Sequence, residues 1–463
     1  MAIALLAPLA PAHADDAGLE ARLDAALGTR ALRGARVAAL VVAASDGREL
    51  YARSAGRALV PASNQKILTA LAALSAFGPS YHFRTALLAD RPLDASGTLG
   101  TLYVVGGGDP GLDDREWWRL AADLRSLGLR RVRDLVLDDG RFERARWHPS
   151  WGALSSRAYH APVGALGANY GAFTAWVQAG ARPGDPVSVR VDPPVPYLEV
   201  VNRARTGARG ARFRFQVERQ EGGDRERVVV TGSLPAGSPA QPVARSVADP
   251  TRYAGAVLRM QLEAVGIEVA GEVRVAPAPA GAAHLHDYHG RSLAELLVPF
   301  LKWSQNVVGE TLCKALALER GAARGSWAEG AAALRGELSR LGLQEGSLVV
   351  VDGSGLSYQN RASPRTLVDA LLVARARFEL APELEAALPI AGVDGTLRRR
   401  AAGARGRVRA KTGLLTQVAG LSGYALSPGG EERVFSVLVN GFRGDARGAM
   451  RALDAFAEAL AAP

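Results

Sequence analysis

The middle of this chain does not read like its two ends. From about residue 85 to 286, short β-rich segments alternate with Gly/Pro turns, as at Leu99–Val105, Gly106-Gly107-Gly108-Asp109-Pro110 and Asp134–Leu137. On either side run longer amphipathic helices and apolar strands. A chain so patterned folds most simply as one α/β domain, split in sequence, with roughly 200 residues of β-rich insertion leaving and re-entering it. Residues 15–85 and 287–463 would form the split domain, 86–160 and 240–286 an inserted β-rich domain, and 161–239 a second small β domain nested in the insertion.

Local signals fill in this plan. Residues 17–32 have helical spacing, and Arg36–Ala44 and Arg48–Arg53 are predicted strands joined through Ser45-Asp46-Gly47. Pro61-Ala62-Ser63 opens a helix with Ile67, Leu68, Leu71 and Leu74 at helical spacing, closed by Gly78-Pro79. Within the insertion, Arg212–Arg219 alternates and turns at Gly222-Gly223 into Arg227–Thr231, and Asp249-Pro250 caps a helix. Helical sequence returns at Leu293–Leu301, and Ser363-Pro364 caps another helix. Val408–Leu415, Gln417–Leu426 and Arg433–Gly441 predict three successive antiparallel strands. Met450, Leu453, Phe456 and Leu460 mark a closing helix that packs on the sheet rather than on a membrane.

Composition narrows function more than fold. With 48% hydrophobic and 22% charged residues, the chain can bury a core and is not disordered. A single cysteine, Cys313, rules out a disulfide framework and any multi-cysteine metal site, and its apolar helix makes it a core residue. No run of about 18 uncharged apolar residues exists to span a membrane. The net charge is +10, but the basic residues are scattered apart from Arg398-Arg399-Arg400, so no nucleic-acid partner is expected. Only four of the 56 basic residues are lysine: Lys66, Lys302, Lys314 and Lys411. Lysine can lose its proton where arginine cannot, so these four positions invite a search for chemistry. At the N-terminus, a short apolar run ending in Ala12-His13-Ala14 fits a secretory signal cleaved after Ala14, although it lacks a basic start. Such a chain would be exported to the periplasm or another extracytoplasmic part of the envelope.

Ser63-Asn64-Gln65-Lys66 stands at the start of a predicted helix. Residues three apart share a face one turn apart, so the Ser63 hydroxyl and Lys66 amine can come within hydrogen-bond reach. A neutral lysine can then act as the base a serine nucleophile needs. Read alone, Ser63 is an N-cap and Lys66 a solvated side chain. Trp303-Ser304-Gln305-Asn306, expected on a helix, adds a second hydroxyl and an amide, and Lys411-Thr412-Gly413 lies on the first of the late strands.

Taken together, in the order S-x-x-K, S-x-N, K-T-G, these motifs resemble the penicillin-recognising serine enzymes, the D,D-peptidases and serine β-lactamases. Ser63 and Ser304 lie 241 residues apart, and a large insertion there resembles the DacB-like, penicillin-binding protein 4 family of D-alanyl-D-alanine carboxypeptidases/endopeptidases. Gly106–Pro110, Ala165-Leu166-x-x-Asn169, Asp352-Gly353-Ser354-Gly355-Leu356-Ser357 and Pro389–Thr396 are similar to that family too. The resemblance covers essentially the whole mature chain. It implies an α/β (α+β) catalytic domain like that of serine β-lactamases and D,D-peptidases, an antiparallel sheet flanked by helices, with the insertion forming one or two extra domains.

The resemblance also implies roles. Ser63 would attack the carbonyl between two terminal D-alanines, Lys66 would take its proton, and Ser304, between Lys66 and Lys411, would relay one to the leaving amine. Asn306 would hold an amide of the acyl donor. Lys411 would keep Lys66 deprotonated and, with Thr412 and Gly413, face the substrate's terminal carboxylate. The backbone N–H groups of Ser63 and Leu414 would form the oxyanion hole. No cofactor or metal is implied, and His284, His286, Asp287 and His289 read as a surface strand or loop. Peptidoglycan stem peptides are the expected substrates, cleaved at the terminal D-alanine or at D-alanyl cross-links. β-Lactams are the expected covalent inhibitors, and peripheral association with the envelope would suit the charge. The rival readings are a serine β-lactamase and a catalytically idle wall-binding scaffold. Two departures from the family matter: Leu414 stands where Ser or Thr usually follows K-T-G, and Trp151-Gly152-Ala153-Leu154 lacks the acidic residues many relatives carry after that Trp.

Overall fold

A computed structural model describes residues 13–343 and 346–462 of the chain. The expected signal segment lies outside them except for His13 and Ala14, which begin a helix, His13–Leu27. That helix starts and ends earlier than the spacing over 17–32 predicts, and a separate short turn covers Arg30–Leu32.

The two ends of the chain meet in one five-stranded sheet. Its order is Val408–Leu415, Val418–Leu426, Glu432–Asn440, Arg36–Ala43, Glu49–Arg53. Every pairing is antiparallel, with Arg36 opposite Asn440 and Ala43 opposite Arg433 where the ends join. Burial on both faces accounts for the near-continuous apolar runs of these strands. Ala38, Leu40 and Val42 face a core that includes Ile67, Leu71, Leu367 and Leu371. Val37, Ala39 and Val41 face the opposite core with Leu23, Leu453 and Phe456. The helix Gln65–Phe77 is buried without interruption from Gln65 to Leu74, which makes it the central helix rather than a surface one.

The insertion is built on a second, mixed sheet. Its order is Glu268–Val269, Arg131–Asp138, Thr98–Val105, His82–Ala89, Ala283–Ser292, with Val273–Val275 also pairing Arg131–Asp138. Helices Asp114–Ser126 and Pro250–Ala264 give this core Trp117, Leu120, Tyr253 and Leu258. The first of these helices is hidden in sequence among turns, although Asp113 caps it by accepting from the N–H groups of Arg115 and Glu116. Residues 85/86 and 286/287 fall inside paired strands, Arg84 opposite His289 and Ala86 opposite Asp287, so a strand pair rather than a linker carries the chain out and back. Two smaller sheets complete the insertion. One pairs Ala172–Gln178 with Ser188–Asp192 and Gln241–Ser246, which takes its pairing past residue 239. The other comprises Leu198–Asn202, Arg205–Gly207, Arg214–Gly222 and Arg225–Pro235. Phe142, Trp151, Val163 and Ala165 then pack on Trp327, seating the insertion against the helices behind the S-x-N segment. Among the described residues no helix is long and apolar enough to cross a membrane.

Candidate active site

The nucleophile candidate sits on a turn that two glycines allow to be tight. Ala62 adopts φ +47°, and Ala62–Asn64 form a short 3-10 turn leading into the helix Gln65–Phe77. A Cβ on Gly355 (φ +83°) would lie 2.0 Å from Ala62 O, and one on Gly413 would lie 2.5 Å from Asn64 Nδ2. Any side chain at either position would push the Asp352–Ser357 loop or the Lys411 strand away from Ser63. The spacing argument holds in three dimensions: Lys66 Nζ lies 3.1 Å from Ser63 Oγ.

Lys66 is fully buried. It also donates to Asn306 Oδ1 at 2.7 Å and to the carbonyl of Ser354 at 2.6 Å. Asn306 turns its own N–H to the carbonyl of Tyr159 at 2.9 Å, so the insertion touches the site directly. The S-x-N segment is not helical throughout, as its sequence suggests. One helix ends at Lys302, Ser304 takes φ +61°, and a second helix starts at Asn306. That reversal brings Ser304 Oγ to 3.0 Å from Lys411 Nζ. Lys66 therefore bonds Ser63 and Asn306 rather than Ser304, which pairs with Lys411 alone of the two lysines. Lys411 further donates to the carbonyl of Thr412 at 2.7 Å, and the hydroxyls of Thr412 and Thr396 are 2.8 Å apart.

Electrostatics make Lys66 a usable base. Burial lowers its pKa from the ordinary lysine value to about 7, against the pull of Glu310 and Asp352, whose negative charges favour the ammonium form. Burial also holds Lys411 well below the lysine range, and repulsion from Lys66 adds to it. Two ammonium groups this near one another are unfavourable together, so the pair favours having at least one amine neutral. Glu310 is itself pushed above the usual carboxylate range, first by burial and then by Asp352. It accepts from the N–H groups of Gly353 and Ser354 and from Trp327 Nε1. Asp352 accepts from Trp151 Nε1, Gly355 N, Ser357 N and Asn360 Nδ2, fixing the loop that presents the Ser354 carbonyl to Lys66.

A cavity of about 850 Å³ opens over Ser63, lined among others by Tyr159, Trp303, Ser304, Asn306 and Leu414. Leu414 is 46% exposed and lines the cleft, so it presents an apolar surface there. Sequence reasoning missed Glu310 and Tyr159, and it quoted Ser354 and Thr396 only as members of the Asp352–Ser357 and Pro389–Thr396 segments. Glu310 could have been found, because it follows Asn306 by four residues and so shares its helix face. The Tyr159 contact is a backbone carbonyl, which leaves no trace in residue type.

A model of the D-Ala-D-Ala carboxypeptidase 3 (S13) family matches residues 19–460, nearly the entire chain. The chain belongs to that family. It is 37% identical to a D-alanyl-D-alanine carboxypeptidase of Actinomadura sp. (strain R39), over 97% of this chain and 87% of the relative. The crystal structure of penicillin binding protein 4 (dacB) from Haemophilus influenzae superposes with a TM-score of 0.79 at 27% identity, over 94% of this chain and 97% of that one. The same Haemophilus protein has been solved in complex with a β-lactam, where the TM-score is 0.74.

Other sequence candidates lie apart from the S13 site. His284 Nε2 meets Asp287 Oδ1 at 3.2 Å, and His286 Nε2 lies 3.7 Å from Asp123 Oδ2, on the strand Ala283–Ser292. Among the described residues no three His, Cys, Asp or Glu side chains converge as metal ligands would. Cys313 is buried in the helix Asn306–Glu319, and burial pushes its thiol pKa well up.

Proposed function

We propose that this S13 chain is a serine D-alanyl-D-alanine carboxypeptidase acting on peptidoglycan stem peptides. The observation that carries this reading is a fully buried lysine bonded to a serine that lines an open cleft, where burial lowers the amine's pKa to about 7. Near neutral pH a large share of Lys66 is neutral and can accept the Ser63 proton as Oγ adds to the carbonyl of the penultimate D-alanine. Ser63 and Leu414 both line the cleft, and their N–H groups would receive the oxyanion. Losing one such donor costs about 2.7–4 kcal/mol in a serine protease. As the C–N bond breaks, Ser304 gives its proton to the leaving amine and is resupplied by Lys411. A substrate carboxylate arriving at Lys411 and Thr412 restores the ammonium form, because an opposite charge favours it. Water then adds to the ester carbon, Lys66 returns its proton to Ser63, and the water's proton goes back to the Ser304–Lys411 pair.

The same acyl transfer serves a terminal D-alanine or a D-alanyl cross-link, with only the leaving amine changed. β-Lactams would acylate Ser63 in the same way, as the complex of the Haemophilus relative suggests. Export through residues 1–14 would place the enzyme with its substrate, and the net charge of +10 suits an anionic envelope. The test is release of D-alanine from an N-acylated L-Lys-D-Ala-D-Ala peptide. We expect turnover by the intact chain and none by Ser63→Ala; equal turnover by both would end the proposal.

A further inference from the structure

Next to Ser304 and Asn306 the catalytic cleft adjoins a second cavity of about 600 Å³, with no residue of the Lys411 strand in its lining. It shares Tyr159, Trp303, Ser304 and Asn306 with the first, but its remaining wall comes from the insertion and carries Arg157 and Arg245. An antiparallel bridge between the backbones of these two residues sets their side chains next to one another. Among the described residues neither arginine has a carboxylate within ion-pair distance. Burial and then the charge of Arg157 press the Arg245 pKa down, which is what two adjacent cations do when no anion lies between them. Glu218 opposes this only from beyond contact. Arg245 is held rigidly by two donations, Nε to the carbonyl of Val217 at 2.6 Å and Nη1 to that of Ala244 at 2.9 Å. Guanidinium has five N–H donors, so several remain. Trp303, 56% exposed, forms the wall between the two cavities.

We propose that Arg157 and Arg245 form a carboxylate subsite that binds the stem peptide upstream of the scissile bond. This rests on the carboxypeptidase reading, which puts the leaving D-alanine at Lys411 and the acyl donor at Asn306. The four lining residues that the two cavities share favour a carboxylate on the substrate itself over a free anion. In an extended peptide, a group two or three residues upstream lies roughly 7–10 Å from the reacting carbonyl. The free α-carboxylate of a γ-linked D-glutamate at the second stem position has that reach, and its two oxygens match paired guanidinium donors.

The experiment uses two pentapeptides ending in D-Ala-D-Ala that differ only at this glutamate, one with the free carboxylate and one with its carboxamide. kcat/KM of the intact chain is measured for each, and affinity for each is measured separately with Ser63→Ala. We expect the acid to be preferred about ten-fold in both readouts, the size of a charge-assisted hydrogen bond. Arg157→Gln removes a side chain that makes no hydrogen bond among the described residues; it should bring that preference close to unity, as should Arg245→Gln, with penicillin acylation of Ser63 retained. Equal handling of the two peptides, or a preference that survives Arg157→Gln, overturns the subsite. Acid-selective binding without D-alanine release would support the subsite and count instead against the carboxypeptidase reading.

Discussion

Lys66 must be neutral to accept a proton, and its surroundings pull it both ways. Burial favours the neutral amine, while Glu310 and Asp352 favour the ammonium. Activity should therefore rise with pH through the Lys66 pKa near 7 and fall away below it, where the ammonium form predominates. Glu310→Gln removes one of the charges holding the proton on, so the Lys66 pKa falls and the acid limb of the kcat/KM profile moves to lower pH, by about one unit. A glutamine oxygen still accepts from the Ser354 N–H, so a purely structural role for Glu310 would lower the rate without moving that limb. Leu414 offers a second test at this scale. Leu414→Thr introduces a hydroxyl beside the expected carboxylate position. It should raise kcat/KM about three- to ten-fold for peptides with a free terminal carboxylate, with no gain for the same peptides as C-terminal amides. A gain on both would place the hydroxyl elsewhere.

At the scale of elements, the S-x-N segment shows what the sequence could and could not tell. The three motifs and their order single out Ser63, Lys66, Ser304, Asn306 and Lys411; in the structure Ser63, Ser304 and Asn306 line one cleft, with Lys66 bonded to Ser63 and Asn306 and Lys411 to Ser304. The helix and strands bearing S-x-x-K and K-T-G were readable because apolar spacing sets them: Ile67, Leu68 and Leu71 for the helix, and Val408 to Leu415 for the strand. The Ser304 turn was not. Apolar residues run on both sides of it, and nothing in Trp-Ser-Gln-Asn marks a positive φ at a serine. The strands of the insertion were read in outline, yet their pairings lie far apart in sequence, as with His82–Ala89 and Ala283–Ser292, so the unit boundaries could not be drawn from local pattern. A left-handed serine costs about 1–2 kcal/mol, and glycine relieves that cost while adding freedom to the unfolded chain. Ser304→Gly should keep the turn and hold stability to within about 1 kcal/mol, while D-alanine release falls by roughly 100-fold or more through loss of the hydroxyl. Calorimetry and turnover on the same preparation check both halves. Unchanged turnover would remove Ser304 from the proton route.

For the whole molecule, the insertion does more than decorate the catalytic domain. Trp151 donates to Asp352, Ser150 to Ser357, and Asn306 to the Tyr159 carbonyl, so residues from the insertion brace both the loop behind Lys66 and the amide in front of it. The five-stranded sheet is completed by residues 36–53 pairing with residues 408–440, so the segment leading to the nucleophile and the K-T-G strand belong to one sheet. All of this geometry bears on one claim, that Ser63 is an acylating nucleophile activated by Lys66. The most direct measurement is labelling of the intact chain with a fluorescent penicillin, with the modified residue read by mass spectrometry and loss of the label followed in time. A single adduct on Ser63 that persists, and is absent from Ser63→Ala, is the predicted result. No adduct on folded protein, or one on another residue, would contradict the account, and an adduct on Ser63 lost within seconds would make the chain a β-lactamase instead.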